Sequence, residues 1–131
     1  MSEKVRYIEE ILNKIDDIYI LLCQGDKKDG FEKLNGMMNE LTNILGKILN
    51  SKEIFRKLEV EFPEEVVIQQ INNLADAIEH KDTILLTDTL NYEIKNTLLF
   101  YIDVINELEK NNIICLLYTS DAADDLIGVD L

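Results

Sequence analysis

Apolar residues recur along most of this chain at alternating steps of three and four, the repeat that gathers side chains on one face of an α-helix. The first series, Val5, Ile8, Leu12, Ile15, Tyr19 and Leu22, predicts a helix of about twenty residues with one narrow stripe. Gly25 ends it, and Asp26 is placed to cap a second helix, its carboxylate against unpaired backbone amides. The same alternation returns in Phe31, Leu34, Met38, Leu41, Leu45 and Ile48. Two consecutive helices with matching seams predict an antiparallel hairpin. Gly36 and Gly46 weaken the second helix by about 1 kcal/mol each relative to alanine, unless they serve a close helix contact or a bend.

The helical pattern weakens between Arg56 and Glu65, where Val60 and Phe62 alternate with acids and Pro63, the single proline, cannot continue a helix from upstream. This is the main connection. Pro63 suits the first turn of a third helix, with Glu64 and Glu65 at the positive end of its dipole and Val67, Ile71, Leu74 and Ile78 on its buried side. His80-Lys81-Asp82 then makes a short break. Asp82 is the expected cap of a long last helix whose Leu86, Leu90, Ile94, Leu98, Tyr101, Ile105 and Leu108 face inward. The predicted class is therefore all-α, an antiparallel helical bundle of about four helices in two hairpins. A lone hairpin would leave its stripe wet, so the core closes either within one chain or in a dimer of more open hairpins.

The segment Cys115 to Leu131, CLLYTSDAADDLIGVDL, resembles the translation of a sequencing-library adapter joined in frame to a gene. Cys115 through Asp124 match one frame of a transposase-derived adapter. A variable barcode would take the place of Leu126 and Ile127, and Val129-Asp130-Leu131 matches the constant adapter again. The resemblance implies a non-native tail that carries no information on fold or function. Residues 1–114 are then expected to form a single helical domain that loses its natural C-terminus at the junction. The opposing reading is a genuine C-terminal peptide with a Ser120-capped helical turn ending at Gly128.

Charge narrows the classes of partner. The chain has 13 basic and 26 acidic residues, a formal net charge of −13. Four of the acids lie in the tail (Asp121, Asp124, Asp125 and Asp130), and the remaining body is strongly acidic without them. Nucleic acid is disfavoured, because phosphate binding needs a basic patch that releases counterions, and anionic membrane surfaces are disfavoured for the same reason. The N-terminus, MSEKVRYIEE, carries acids where a signal peptide needs an apolar stretch, and the chain lacks a run of about eighteen apolar residues. A cytoplasmic protein is expected. Cys23 is the single cysteine outside the tail, which removes an intramolecular disulfide framework from consideration.

Few residues offer chemistry. His80, the only histidine, follows Asp76 by four residues, but one histidine and one carboxylate do not make a metal site, and the Glu-x-x-His pair of di-iron bundles is absent. It is expected to end a helix, favoured by the negative end of the dipole. Cys23 has no base or orienting group in view and is expected to be an inert, buried or half-buried thiol. Adjacent acids such as Glu9-Glu10, Asp16-Asp17 and Glu64-Glu65 diverge on a helix by about 100° and form no acid/base dyad by themselves. The stretch Gly25 to Gly30 lacks phosphate-loop spacing and follows a helix, so it is a helical corner. Asp88, Tyr92 and Glu93 are the more informative polar set, since Asp88 and Tyr92 sit four apart on a leucine-rich helix. Buried, they would fix helix register. Exposed, they would make a polar recognition point on an apolar surface. No catalytic, cofactor or metal residue is assigned, and an enzyme is not expected.

From Ala77 to Glu93 the chain, AIEHKDTILLTDTLNYE, resembles a family of small all-helical bacterial proteins with a domain of unknown function: acids alternate with leucines around a Lys-Asp turn and a Tyr-Glu pair. The resemblance implies an all-helical fold and singles out Asp82, Asp88, Tyr92 and Glu93, without a role for them. A looser similarity in size, acidity and helix pattern links the chain to flagellar and secretion export chaperones, which hold an amphipathic segment of a client. The expected function is accordingly a cytoplasmic protein–protein interaction module, with Leu90, Ile94, Leu98 and Tyr101 as the apolar seam for a partner helix. The alternative is a self-contained structural or oligomeric bundle with no client groove. The tail generates a first test. Ile113-Ile114-Cys115-Leu116-Leu117-Tyr118 is an uncharged apolar run and an aggregation liability. Deleting Cys115 to Leu131 is expected to raise solubility and leave the melting temperature unchanged or higher, and a fall in either contradicts the aggregation liability.

Overall fold

Ser2 opens the first helix by accepting a hydrogen bond from the Val5 amide on its hydroxyl oxygen at 3.2 Å, which satisfies one of the donors a helix start leaves unpaired. The computed structural model describes residues 2–110, and every regular element among them is helical. The order is α1 (Glu3–Cys23), α2 (Lys27–Leu49), α3 (Lys52–Lys57), α4 (Glu64–His80), α5 (Thr83–Thr87), a π-helical stretch (Asp88–Ile94) and α6 (Lys95–Lys110). The fold class is all-α. The adapter-like tail and the Ile113–Tyr118 run lie outside the described residues.

Both aspartate caps form as their positions suggest: the Asp26 carboxylate accepts from the Asp29 amide at 3.2 Å, and the Asp82 carboxylate from the Leu85 amide at 3.0 Å. Gly25 turns the chain between α1 and α2 with φ at +81°, a left-handed conformation that only glycine adopts without a Cβ penalty. At Gly30 an added Cβ would lie 2.6 Å from Leu22 Cδ2, so the hairpin closes there through the lack of a side chain. Gly36 and Gly46 have open space around them and serve no such contact.

Partner numbers show how the helices run. Lys14 pairs with Glu40 at 2.7 Å and Asp17 with Lys33 at 3.7 Å, so residue numbers on α2 fall as those on α1 rise and the two are antiparallel. Lys81, just past α4, stacks its ammonium 4.8 Å from the Phe31 ring near the start of α2, which sets α4 antiparallel to α2. Gln70 on α4 donates to Thr97 on α6 at 2.8 Å, and Lys95 reaches back to Asp16 on α1 at 3.0 Å. The last helical stretch thus packs against both α4 and α1.

Serving two neighbours widens the stripes that the sequence suggests. On α1, Ile11 and Ile18 are fully buried beside Ile8 and Ile15, whereas Tyr19, expected inside, is 36% exposed. On α2 the core positions are Met37 and Ile44 in addition to Leu34, Leu41, Leu45 and Ile48, with Met38 half-buried. On α4, Gln70 and Ala77 join Val67 and Leu74, and Ile71 and Ile78 lie at the edge of the core. A stripe wide enough for two facing helices spans more than the minimal three-four series.

The last stretch departs from a plain α-helix where its apolar residues step by four. Leu86, Leu90, Ile94 and Leu98 step by four, and in an α-helix each such step drifts about 40° around the axis. Over the three steps an α-helix would carry Leu98 roughly a third of a turn away from Leu86. All four are nevertheless at most 1% exposed. The π-helical stretch supplies the correction, because its bonds span five residues: the Lys95 amide donates to the Leu90 carbonyl. From Leu98 onward the spacing of Tyr101, Ile105 and Leu108 returns to three and four, and so does the α-helix.

The connection after α2 opens with the short helix α3, which lies mostly ahead of the Arg56–Glu65 stretch where the helical pattern weakens. Its Phe55 is fully buried and meets Phe62 edge-on at 5.3 Å, Phe100 at 5.9 Å and Tyr101 in a stack at 6.3 Å. Ser51 donates its hydroxyl proton to the Lys47 carbonyl at 2.6 Å, which leaves its oxygen to accept from the Tyr101 hydroxyl at 3.1 Å. Burial pushes the Tyr101 pKa up, with the Ser51 contact opposing in part. A raised phenol pKa means that stability is intact below the ordinary value of about 10 and is lost as pH rises through the folded value. Tyr101→Phe is expected to cost about 1 kcal/mol near neutral pH and to flatten the alkaline loss of stability in urea titrations between about pH 9 and 11. An unchanged alkaline slope would show that Tyr101 ionises freely.

A candidate interaction groove beside the π-helical stretch

At the end of α1, Tyr19 and Cys23 lie one helical turn apart on the same face, and across from them run Ile84 and Thr87 of α5 and Asp88 and Tyr92 of the π-helical stretch. With Leu22 and Thr83 these side chains line an open hollow of about 300 Å³. The fold brings them together because Asp82 starts α5 immediately after the turn from α4, at the level where α1 ends. Ile84, Asp88 and Tyr92 step by four on the outer side, just as Leu86, Leu90 and Ile94 do on the inner side. The geometry that keeps one row buried therefore keeps the other in line on the surface.

The two most exposed large apolar side chains among the described residues stand here, Ile84 at 75% and Tyr92 at 62%, with the half-open Tyr19 facing them, while Ile20, Val66, Ile68, Leu99 and Phe100 are exposed elsewhere. The Tyr19 hydroxyl ionises above its ordinary value, first through its hydrogen bond with Cys23, then through the charges of Cys23 and Tyr92. Thr87 directs its hydroxyl to the Ile84 carbonyl at 3.0 Å. Asp88 is the one charged side chain of the lining. The groove thus presents two phenols, an isoleucine, a thiol and a carboxylate, a surface suited to holding another side chain.

The sequence-derived candidates separate into two groups. Asp88 and Tyr92 stand together on the groove as its exposed polar members, while Glu93 is half-buried and does not line it. Leu90, Ile94, Leu98 and Tyr101, expected as a seam for a partner helix, are 1%, 0%, 0% and 4% exposed. That expectation needs correction in one physical respect: other elements of the same chain cover these side chains, α1 and α4 along the π-helical stretch and Ser51 and Phe55 at Tyr101, so they form core and not open surface. Cys23, expected buried or half-buried, is exposed. His80 ends α4 with its Nδ1 3.0 Å from the Asp76 carbonyl oxygen. Among the described residues no three His, Cys, Asp or Glu side chains gather as a metal site.

Tyr19, Ile84 and Thr87 were not singled out as site residues. Tyr19 follows the three-four series into the core on paper, and only its place at the outer edge of α1 removes it. Ile84 carried a usable signal, since it lies off the Leu86–Leu90–Ile94 row and in register with Asp88 and Tyr92. A second hollow, of about 490 Å³, lies between the start of α2 and Lys81, lined by Lys27, Lys28, Phe31, Glu32 and Asn35. Its mixed charges single out no ligand. Because Ile94 is core, Ile94→Ala is expected to destabilise the fold by about 2–5 kcal/mol in chemical denaturation, and a loss below about 1 kcal/mol would show the side chain to be poorly packed.

No helix among the described residues is long and apolar enough to cross a membrane. No curated protein and no solved structure matches the sequence. A family model, described as Domain of unknown function (DUF8042), matches residues 1–99, a span that includes every side chain lining the groove. The all-helical chain, with its Lys-Asp turn and Tyr-Glu pair inside the matched span, belongs to this family of domains of unknown function, DUF8042.

Proposed function

We propose that the chain is a cytoplasmic helical protein–protein interaction module, resembling export chaperones in size and charge, that meets its partner through the groove formed by Tyr19, Ile84, Asp88 and Tyr92. One observation carries this reading: large side chains from two separate elements stay exposed around a single hollow, with Ile84 at 75% and Tyr92 at 62% the most exposed large apolar side chains among the described residues. Apolar side chains gathered on a folded surface and rimmed by polar ones mark interaction sites. The neighbouring π-helical stretch agrees with it, since such segments occur preferentially at functional sites. The partner surface is an amphipathic helix laid across the groove, as in other helix-in-groove complexes. This reading gives the chain no catalytic role, cofactor, nucleic acid or membrane contact.

A second reading, a self-contained structural or self-associating body with no client, is favoured by the burial of Leu90, Ile94, Leu98 and Tyr101. The two differ in what the groove does. Photo-crosslinking from position 84 in cells, compared with position 36 on α2, is expected to give a distinct adduct at 84. Its purified partner is expected to lose at least about tenfold in affinity for Ile84→Asp, the cost of putting a charge into an apolar contact. An adduct with a second copy of the chain supports the self-associating reading. Equal affinity of wild type and Ile84→Asp for the captured partner sinks the docking face.

A further inference from the structure

We infer that the groove holds a cationic side chain, an arginine or lysine carried on an otherwise apolar partner helix, between the rings of Tyr19 and Tyr92 and against the Asp88 carboxylate. The inference rests on the docking face proposed above and adds the chemistry of its occupant. Two tyrosines reach the same hollow from different elements, Tyr19 from α1 and Tyr92 from the π-helical stretch, so aromatic surface is presented from both sides. A cation over the face of a tyrosine is attracted by the ring quadrupole, and a nearby carboxylate strengthens the attraction. Leu22 and Ile84 supply apolar surface for the methylene stem that arginine and lysine share.

Charge complementarity selects this occupant over a neutral one. Asp88 is the only charged side chain of the lining and is exposed. The cations that flank it in the chain are engaged elsewhere: Lys81 lies over the Phe31 ring at 4.8 Å, and Lys95 is held by Asp16 at 3.0 Å. The groove therefore offers a carboxylate and two phenol rings with no cation of its own. The acidic excess that remains with the tail set aside adds a long-range field that draws a basic segment toward the surface and repels an acidic one.

The test uses the full chain and two synthetic amphipathic helical peptides that are identical except that a central arginine in one is glutamine in the other. Aromatic-proton NMR titrations at about 0.15 M salt, where the long-range field is largely screened, read both affinity and location. The arginine peptide is expected to shift the Tyr19 and Tyr92 ring signals and to bind at least about fivefold tighter than its twin, an advantage that Asp88→Asn erases. Equal affinity of the two peptides, both displaced by Ile84→Asp, overturns the cation inference while the docking face stands. Binding that leaves both tyrosine rings unshifted and ignores Ile84→Asp overturns both. Absence of binding by either peptide at millimolar concentration overturns the inference as well.

Discussion

Leu86, Leu90, Ile94 and Leu98 impose the constraint on which the rest of the arrangement depends: four side chains spaced by four residues must reach one core. A plain α-helix fans such a row over roughly a third of a turn, the width of a stripe that faces two helices, and each large apolar side chain left in water forgoes about 1.5–3 kcal/mol. The backbone narrows the row further. A π-helical stretch from Asp88 to Ile94 absorbs the drift and keeps the row against α1 and α4. Helix propensity is a weak preference beside this much burial, so packing decides the backbone geometry.

The remaining contacts follow from that row being in place. With the last stretch seated between α1 and α4, α2 completes the enclosure, and Phe55 of α3 fills the end near Tyr101 with an aromatic cluster. Buried polar groups mark where α4 and α6 must register: Gln70 and Thr97 are 2% and 8% exposed and bond to each other. A one-turn slip would leave both unpaired in the core, which costs more than the bond itself contributes. The surface ion pairs Lys14–Glu40, Asp17–Lys33 and Asp16–Lys95 are worth about 0–1 kcal/mol each and report helix direction more than they create it.

The same row also shapes the outside. Because the π-helical stretch holds Leu86, Leu90 and Ile94 in line on one side, Ile84, Asp88 and Tyr92 align on the other, facing Tyr19 and Cys23. The closed core shifts the question of binding from the interior of the helix set to this surface. Of the residues that periodicity marks as a partner seam, the structure uses all four as core. Of the three polar residues beside them, two stand on the groove. Polar residues off the apolar row were therefore the better guide to the surface, because nothing pulls a phenol and a carboxylate inward when no partner waits there.

Local chemistry was legible in the chain alone. The helix content, the caps at Asp26 and Asp82, the turn at Gly25 and the start of α4 after Pro63 are all short-range effects, settled by residues within a turn of one another. The drift of the Leu86–Leu98 row was legible in principle too, as a spacing by four that fans over roughly a third of a turn in a plain α-helix. Tertiary structure decided what depends on distant segments. It set the number of neighbours each helix serves, and hence the inclusion of Ile11 and Ile18 and the exclusion of Tyr19 from the core. It also folded α3 around Phe55 and brought the end of α1 against α5. A periodic sequence determines which face of a helix is apolar, but only the helices packed around it determine how much of that face is covered and which side chains are left to meet another molecule.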